Sequence, residues 1–182
     1  MIVSVGAAIV LLGFIPLYVA ILRKTARPRF SSWLMWSVLL VMVLATQVAA
    51  GKRDPWGIMA ALIGNTIAAV LILFYCGRRW TRLDTGCLLL VCATSLIWLL
   101  SGPAIAQVLA LASLLIAGIP TIKNVWVNAK NESRLSWGIF SVGFLLTVVG
   151  IDDWSNYSNW IQPAQSAAFN VLMFSLTFRA PR

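Results

Sequence analysis

Seven apolar stretches, roughly 3–22, 31–50, 56–76, 85–101, 104–122, 135–151 and 158–178, take up most of this 182-residue chain. Each runs about 17–21 residues, and a helix needs about 20 to cross the ~30 Å hydrocarbon core of a bilayer. Inside lipid no water satisfies backbone N–H and C=O groups, so a run that enters hydrocarbon has to be helical. The sequence therefore predicts an all-α integral membrane protein with seven transmembrane helices. Composition argues against a soluble fold: 60% of the residues are hydrophobic and 10% charged, against about 25% charged in a soluble domain. The first run is expected to span rather than to be a cleaved signal peptide. No basic segment precedes it, and it is long enough to cross.

Charge placement predicts the orientation. With seven crossings, Arg23, Lys24, Arg27, Arg29, Arg78, Arg79, Arg82, Lys123, Lys130, Arg134, Arg179 and Arg182 fall on one side, twelve of the fourteen basic residues. Lys52 and Arg53 fall on the other, with Asp152 and Asp153. Basic loops stay in the cytoplasm, so the N-terminus is expected outside and the C-terminus inside, in a plasma (inner) membrane. The same placement accounts for the net charge of +9: the clusters face lipid headgroups, and no aromatic-basic platform for nucleic acid is present. Trp33, Trp80, Trp126 and Trp137, with Trp36 a turn deeper, are expected at the cytoplasmic edge, and Trp56, Trp98, Trp154 and Trp160 at the outer edge, as an interfacial aromatic belt.

The chain also repeats itself. Ile15-Pro16 recurs as Ile119-Pro120, Ser32-Trp33 as Ser136-Trp137, Ser37-Val38 as Ser141-Val142 and Trp56 as Trp160, all at an offset of 104 residues. Proline and tryptophan are rare enough for this agreement to carry weight. The offset takes helix 1 onto helix 5, helix 2 onto helix 6 and helix 3 onto helix 7. The unmatched fourth helix restores direction, giving two parallel three-helix repeats joined by a linker helix, a 3+1+3 arrangement. The boundaries are 1–80 for the first repeat, 81–103 for the linker and 104–182 for the second.

Gly118-Ile119-Pro120-Thr121-Ile122-Lys123-Asn124, followed by Lys130, Glu132-Ser133 and Leu135-Ser136-Trp137, resembles a PQ-loop repeat. The pattern is a proline late in one helix, a short basic loop, then a Ser-aromatic start to the next helix. Ile15-Pro16, Lys24, Arg29 and Ser32-Trp33 form a weaker copy, and the whole architecture resembles the SWEET and PQ-loop transporter superfamily. The namesake dipeptide is not retained: Leu17 follows Pro16 and Thr121 follows Pro120. The resemblance implies a carrier that moves a small polar, uncharged solute (sugar-like, or amino-acid- or vitamin-like) by alternating access. It also includes receptors, so a non-transporting receptor or scaffold on the same fold is the alternative.

Two sets of residues follow. Each proline removes an intrahelical hydrogen bond, at Pro16 the one to Leu12 and at Pro120 the one to Ile116. With Gly13 and Gly118 beside them, these positions are either hinges of a cytoplasmic gate, the role the resemblance implies, or static kinks. Asn65 lies nine residues beyond Trp56, and Asn170 ten beyond Trp160. At 1.5 Å per residue that is about 14–15 Å, half the hydrocarbon thickness. Two amides at the midplane either bind a polar solute, as the resemblance implies, or join helices. The outer halves of helices 2 and 6 supply no aromatic platform. Gln47 and Asp152 sit at matching heights and are candidates for an outer vestibule, although Asp152 also reads as a solvated loop residue beside Asp153.

Enzymatic chemistry has no footing. The chain has no histidine, and its five acids, Asp54, Asp84, Glu132, Asp152 and Asp153, lie in loops or at helix ends. Three cysteines, Cys76, Cys87 and Cys92, form neither an even disulfide set nor a metal cluster. No catalytic residue, metal or cofactor is expected. The partners expected are the lipid bilayer, the solute and a possible second copy of the chain. Without an embedded ionisable relay, facilitated diffusion is favoured over proton coupling.

Overall fold

A computed structural model describes residues 2–49, 56–101, 103–155 and 157–180. It contains seven α-helices: α1 (Ile2–Leu22), α2 (Phe30–Ala49), α3 (Trp56–Tyr75), α4 (Arg82–Leu100), α5 (Pro103–Val127), α6 (Arg134–Val149) and α7 (Tyr157–Leu176). A single 3₁₀ turn, Ala129–Asn131, precedes α6, and no strand occurs among the described residues. Helices α1 to α5 are each long and apolar enough to cross a membrane. The protein is all-α and membrane-embedded. At 1.5 Å per residue the 16 residues of α6 reach about 24 Å, and α7 is less apolar.

Local chemistry sets the helix ends. Thr81 and Asp84 form a reciprocal capping box at the start of α4. Ser133 caps α6 by accepting from the Ser136 N–H at 3.3 Å. Pro103 occupies the first position of α5, where its missing N–H costs nothing. Helix α3 stops at Gly77, which takes the left-handed conformation at φ 77°. Helix α5 runs five residues past its expected end at 122, because Pro120 does not break it. The proline is fully buried, and in packed membrane helices neighbouring groups compensate for the lost bond. Pro16 likewise sits inside an unbroken α1.

Six helices close a ring in the order α1, α3, α2, α5, α7, α6, each packing on the next, and α6 packs back on α1. Helix α4 stands outside it against α5, with a lighter contact to α2. Thr94 of α4 and Ser113 of α5 share a short hydrogen bond there. The ring has two dissimilar seams between its halves. Along α1 and α6, which run antiparallel, the backbones nearly touch. A methyl group on Gly6 would come within 2.7 Å of the Gly143 carbonyl, and one on Gly143 within 2.9 Å of the Val10 nitrogen. Small residues permit such an approach between membrane helices. Along α2 and α5 the contact is made by large side chains, with the Trp36 indole donating to the Leu114 carbonyl at 2.9 Å.

The tryptophan expectation needs correcting at three positions. Trp33, Trp36 and Trp137 are 2%, 8% and 3% exposed and belong to the core, not to an interfacial belt. Trp33 meets Trp36 edge-on at 5.4 Å between ring centroids and lies 6.2 Å from Trp137. The helix face that carries them points into the ring. Trp126 and Trp154 are about half exposed.

The described basic residues gather at one end. There the Arg27 N–H donates to the Asn131 carbonyl at 2.9 Å. Arg134 donates to the Thr177 carbonyl at 2.7 Å, and the Arg179 guanidinium lies 3.4 Å from the centre of the Trp126 ring. Arg29 pairs with Asp84 at 3.1 Å. The fully buried Asp84 carboxylate also accepts from Ser31 and from both the hydroxyl and the backbone of Thr81, tying the start of α2 to the start of α4. Lys52, Arg53, Asp54 and Arg182 lie outside the described residues.

Candidate functional site

A cavity of about 100 Å³ lies at the centre of the ring. All six ring helices line it: Val10 and Phe14 from α1, Trp33, Trp36 and Leu40 from α2, Ala61 and Asn65 from α3, Leu114 and Leu115 from α5, Trp137, Phe140 and Phe144 from α6, and Gln162, Gln165, Ser166, Phe169 and Asn170 from α7. Helix α4 contributes nothing. No charged side chain is among the lining residues. Liquid water takes about 30 Å³ per molecule, so in this conformation the cavity has room for roughly three waters.

The two asparagines meet here in matching states. Asn65 donates to the Ala61 carbonyl at 2.7 Å and Asn170 to the Ser166 carbonyl at 2.7 Å, each bending back to its own helix four residues earlier. No other side-chain hydrogen bond fixes either amide among the described residues. Each keeps a carbonyl oxygen and one N–H for a ligand. An amide used as glue between helices would instead spend those groups across an interface. The neighbouring Gln165 does so, donating to the Leu111 carbonyl of α5 at 2.8 Å. Gln162 donates to the Ser166 hydroxyl at 3.1 Å.

Six aromatic rings make the wall at the basic end: Phe14, Trp33, Trp36, Trp137, Phe140 and Phe169. Phe14 meets Phe140 at 4.8 Å and Trp36 meets Phe169 at 5.6 Å, both edge to face. The platform missing from the outer halves of helices 2 and 6 thus comes from their first two turns, with contributions from α1 and α7. The signal was present in the sequence: Trp33 and Trp36 recur as Trp137 and Phe140 at the same 104-residue offset. Gln162, Gln165 and Ser166, which the sequence does not single out, complete the polar part of the wall from α7.

Glycines make room for the rings. A methyl group on Gly64 would collide with the ring of Phe14. On Gly118 it would lie 2.5 and 2.6 Å from carbons of Phe169. Phe14 and Gly118 are equivalent in the repeat, as are Gly64 and Phe169 in the register of the two asparagines. The two halves have exchanged ring and slot while keeping the packing. Gly13 likewise lies against Phe140.

The remaining candidates lie elsewhere. Gln47 is buried, with its carbonyl oxygen unpartnered, and does not line the cavity. Asp152 is exposed in the loop before α7. Pro16 and Pro120 stand in the halves of α1 and α5 nearer the basic end, outside the cavity wall. No group of three or more potential metal ligands occurs among the described residues. No protein-family model matched the chain, and no curated protein or solved structure did either.

Proposed function

We propose that the chain is a small carrier of the SWEET and PQ-loop type, moving a small, polar, uncharged solute across the membrane by alternating access between two three-helix bundles. The observation that carries this reading is the central cavity, where Asn65 and Asn170 hold free amide groups against an aromatic wall. Its lack of charge favours a neutral solute, and amides with aromatic faces suit a molecule that has both polar edges and apolar faces. The ring order supports the three-one-three organisation. Exchanging α1 for α5, α2 for α6 and α3 for α7 turns the α1–α6 seam into α5–α2, and the α1–α3 and α2–α3 contacts into α5–α7 and α6–α7. Only α4, the linker in this reading, lacks a counterpart. The clustering of basic residues at one end supports seven crossings with that end cytoplasmic and the N-terminus outside. Pro16 and Pro120 would then flank the cytoplasmic gate.

The test is uptake by proteoliposomes of a panel of neutral sugars, amino acids and vitamins. For any solute carried, changing Asn65→Ala and Asn170→Ala together is expected to lower uptake at least tenfold with folding intact. Uptake indifferent to the double change removes the site assignment. A reconstituted protein that carries none of the panel removes the carrier reading in favour of the receptor or scaffold.

A further inference from the structure

Glu132 precedes the cap of α6, where hydropathy places it in water, yet it is only 4% exposed. One carboxylate oxygen, Oε2, accepts from the Trp137 indole N–H at 3.3 Å. The other, Oε1, is buried with no partner. A buried carboxylate left unpaired is costly in its charged form, whereas its protonated form removes most of that cost. Trp137 is also a wall of the central cavity, so the carboxyl and the solute site share one side chain. The repeat shows that this is specific to one half: position 132 corresponds to Pro28, and the matching indole of Trp33 is buried without a partner.

A second cavity, lined by Thr25, Ala129, Lys130, Glu132, Arg134, Thr177 and Arg179, lies at the basic end beside this carboxyl. Lys130, Arg134 and Arg179 are the cations facing it, and among the described residues no cation reaches salt-bridge distance of Glu132. From α3 the nearby titratable group is Cys76, which senses Glu132 together with Lys24, Arg27 and Arg79. From α5 the neighbour is Asn124, whose amide favours the anion.

We propose that Glu132 is a proton-binding site that latches the basic end of the bundle. With the carboxyl protonated, segment 128–133 stays seated beneath Trp137; when the proton leaves to water at that end, the segment lifts out and frees the indole. Burial supports this by holding the seated carboxyl at about 8, against the pull of the Trp137 hydrogen bond and of the Asn124 amide nearby. A carboxyl exposed by unseating returns to about 4.3. The sign follows: seating is fully favoured below the exposed value and is lost as pH rises through the seated one. The latch rests on the carrier reading only for its consequence, that pH at the basic end gates the central site.

Amide hydrogen exchange over 128–133 tests it on the whole chain, after correction for the intrinsic pH dependence of exchange. The seated segment is held to its neighbours by the Arg27 N–H on the Asn131 carbonyl at 2.9 Å and by the Asn131 side-chain amide on the Asn124 carbonyl at 3.3 Å, so the Arg27 amide reports unseating directly; within the segment the Lys130 and Asn131 N–H groups pair with Asn128 at 3.0 Å. Between about pH 5.5 and 8.5 the two carboxyl values shift the seating equilibrium on the order of a hundredfold. Protection of this segment is expected to fall accordingly, while Glu132→Gln stays protected at both. Trp137→Phe removes a hydrogen bond that favours the seated anion, so its protection should fall further at pH 8.5 than that of the wild type. Protection that ignores pH, or a loss that persists in Glu132→Gln, overturns the proposal. The readout requires no transport: a protein that carries nothing but loses protection as described supports the latch while refuting the carrier reading.

Discussion

Gly118 separates two accounts of the glycines beside the prolines. If Gly118 loosens a hinge, alanine there rigidifies α5 and stabilises the protein by up to about 1 kcal/mol, the helix-propensity gain. If it is a slot for a ring, the added methyl lands 2.5 Å from Phe169. Carbon atoms rest at about 3.5–4.0 Å, so the ring must retreat by roughly 1 Å. Behind it stand Trp36 and Trp137, 5.6 and 6.1 Å away between centroids, so retreat either compresses them or narrows the cavity. Overpacking of this kind costs about 1–3 kcal/mol, which offsets the propensity gain and leaves a net loss of up to about 2 kcal/mol. Gly86 on α4 is the control, since nothing lies within 4 Å of a methyl group there, and Gly86→Ala should be neutral or stabilising. The assay is SDS-driven unfolding followed by helical circular dichroism. Gly118→Ala should unfold earlier than wild type and Gly86→Ala no earlier. Phe169→Leu should relieve the Gly118→Ala penalty in a double-mutant cycle. A Gly118→Ala protein as stable as Gly86→Ala refutes the slot.

Two further comparisons use the same unfolding assay. Asp84→Ala leaves Arg29 without its ion-pair partner and the fully buried Ser31 hydroxyl without its acceptor; a loss of about 3 kcal/mol or more is expected, and a loss under about 1 kcal/mol would show that the cluster does not hold α2 to α4. Trp36→Phe and Trp33→Phe remove the same volume, but only Trp36 gives up a hydrogen bond, to the Leu114 carbonyl. Trp36→Phe should therefore cost about 1 kcal/mol more, and equal losses would count against that bond.

Run length made the helices legible, because the thickness of hydrocarbon fixes how long an apolar segment must be. It did not reveal which way each face points. On α1, Val10, Phe14 and Leu17 are buried while Leu11, Leu12 and Ile15 are exposed. Water leaves a polar stripe on the outer face of a soluble helix, but lipid demands apolar residues on both faces. For that reason the position of Trp33 and Trp137 near the helix starts was readable and their inward direction was not. Asn65 and Asn170 stood out because an amide in an apolar run is rare and costly. Gln47 gave the same signal and yet does not line the cavity, since polarity reports depth and not azimuth. Glu132 was hidden for another reason: hydropathy treats the segment before α6 as wet, and only the 3₁₀ turn folding back against α5 buries it.

The two seams of the ring differ in mechanical compliance. Where Gly6 and Gly143 bring α1 and α6 into backbone contact, there are no rotamers to change, and separation must break many short contacts at once. Where α2 meets α5, Trp36 and its neighbours can yield by turning about single bonds. A ring joined in this way is stiff along one edge and soft along the other, so its lowest-energy deformation resembles a book pivoting on its spine more than an iris dilating evenly about the centre.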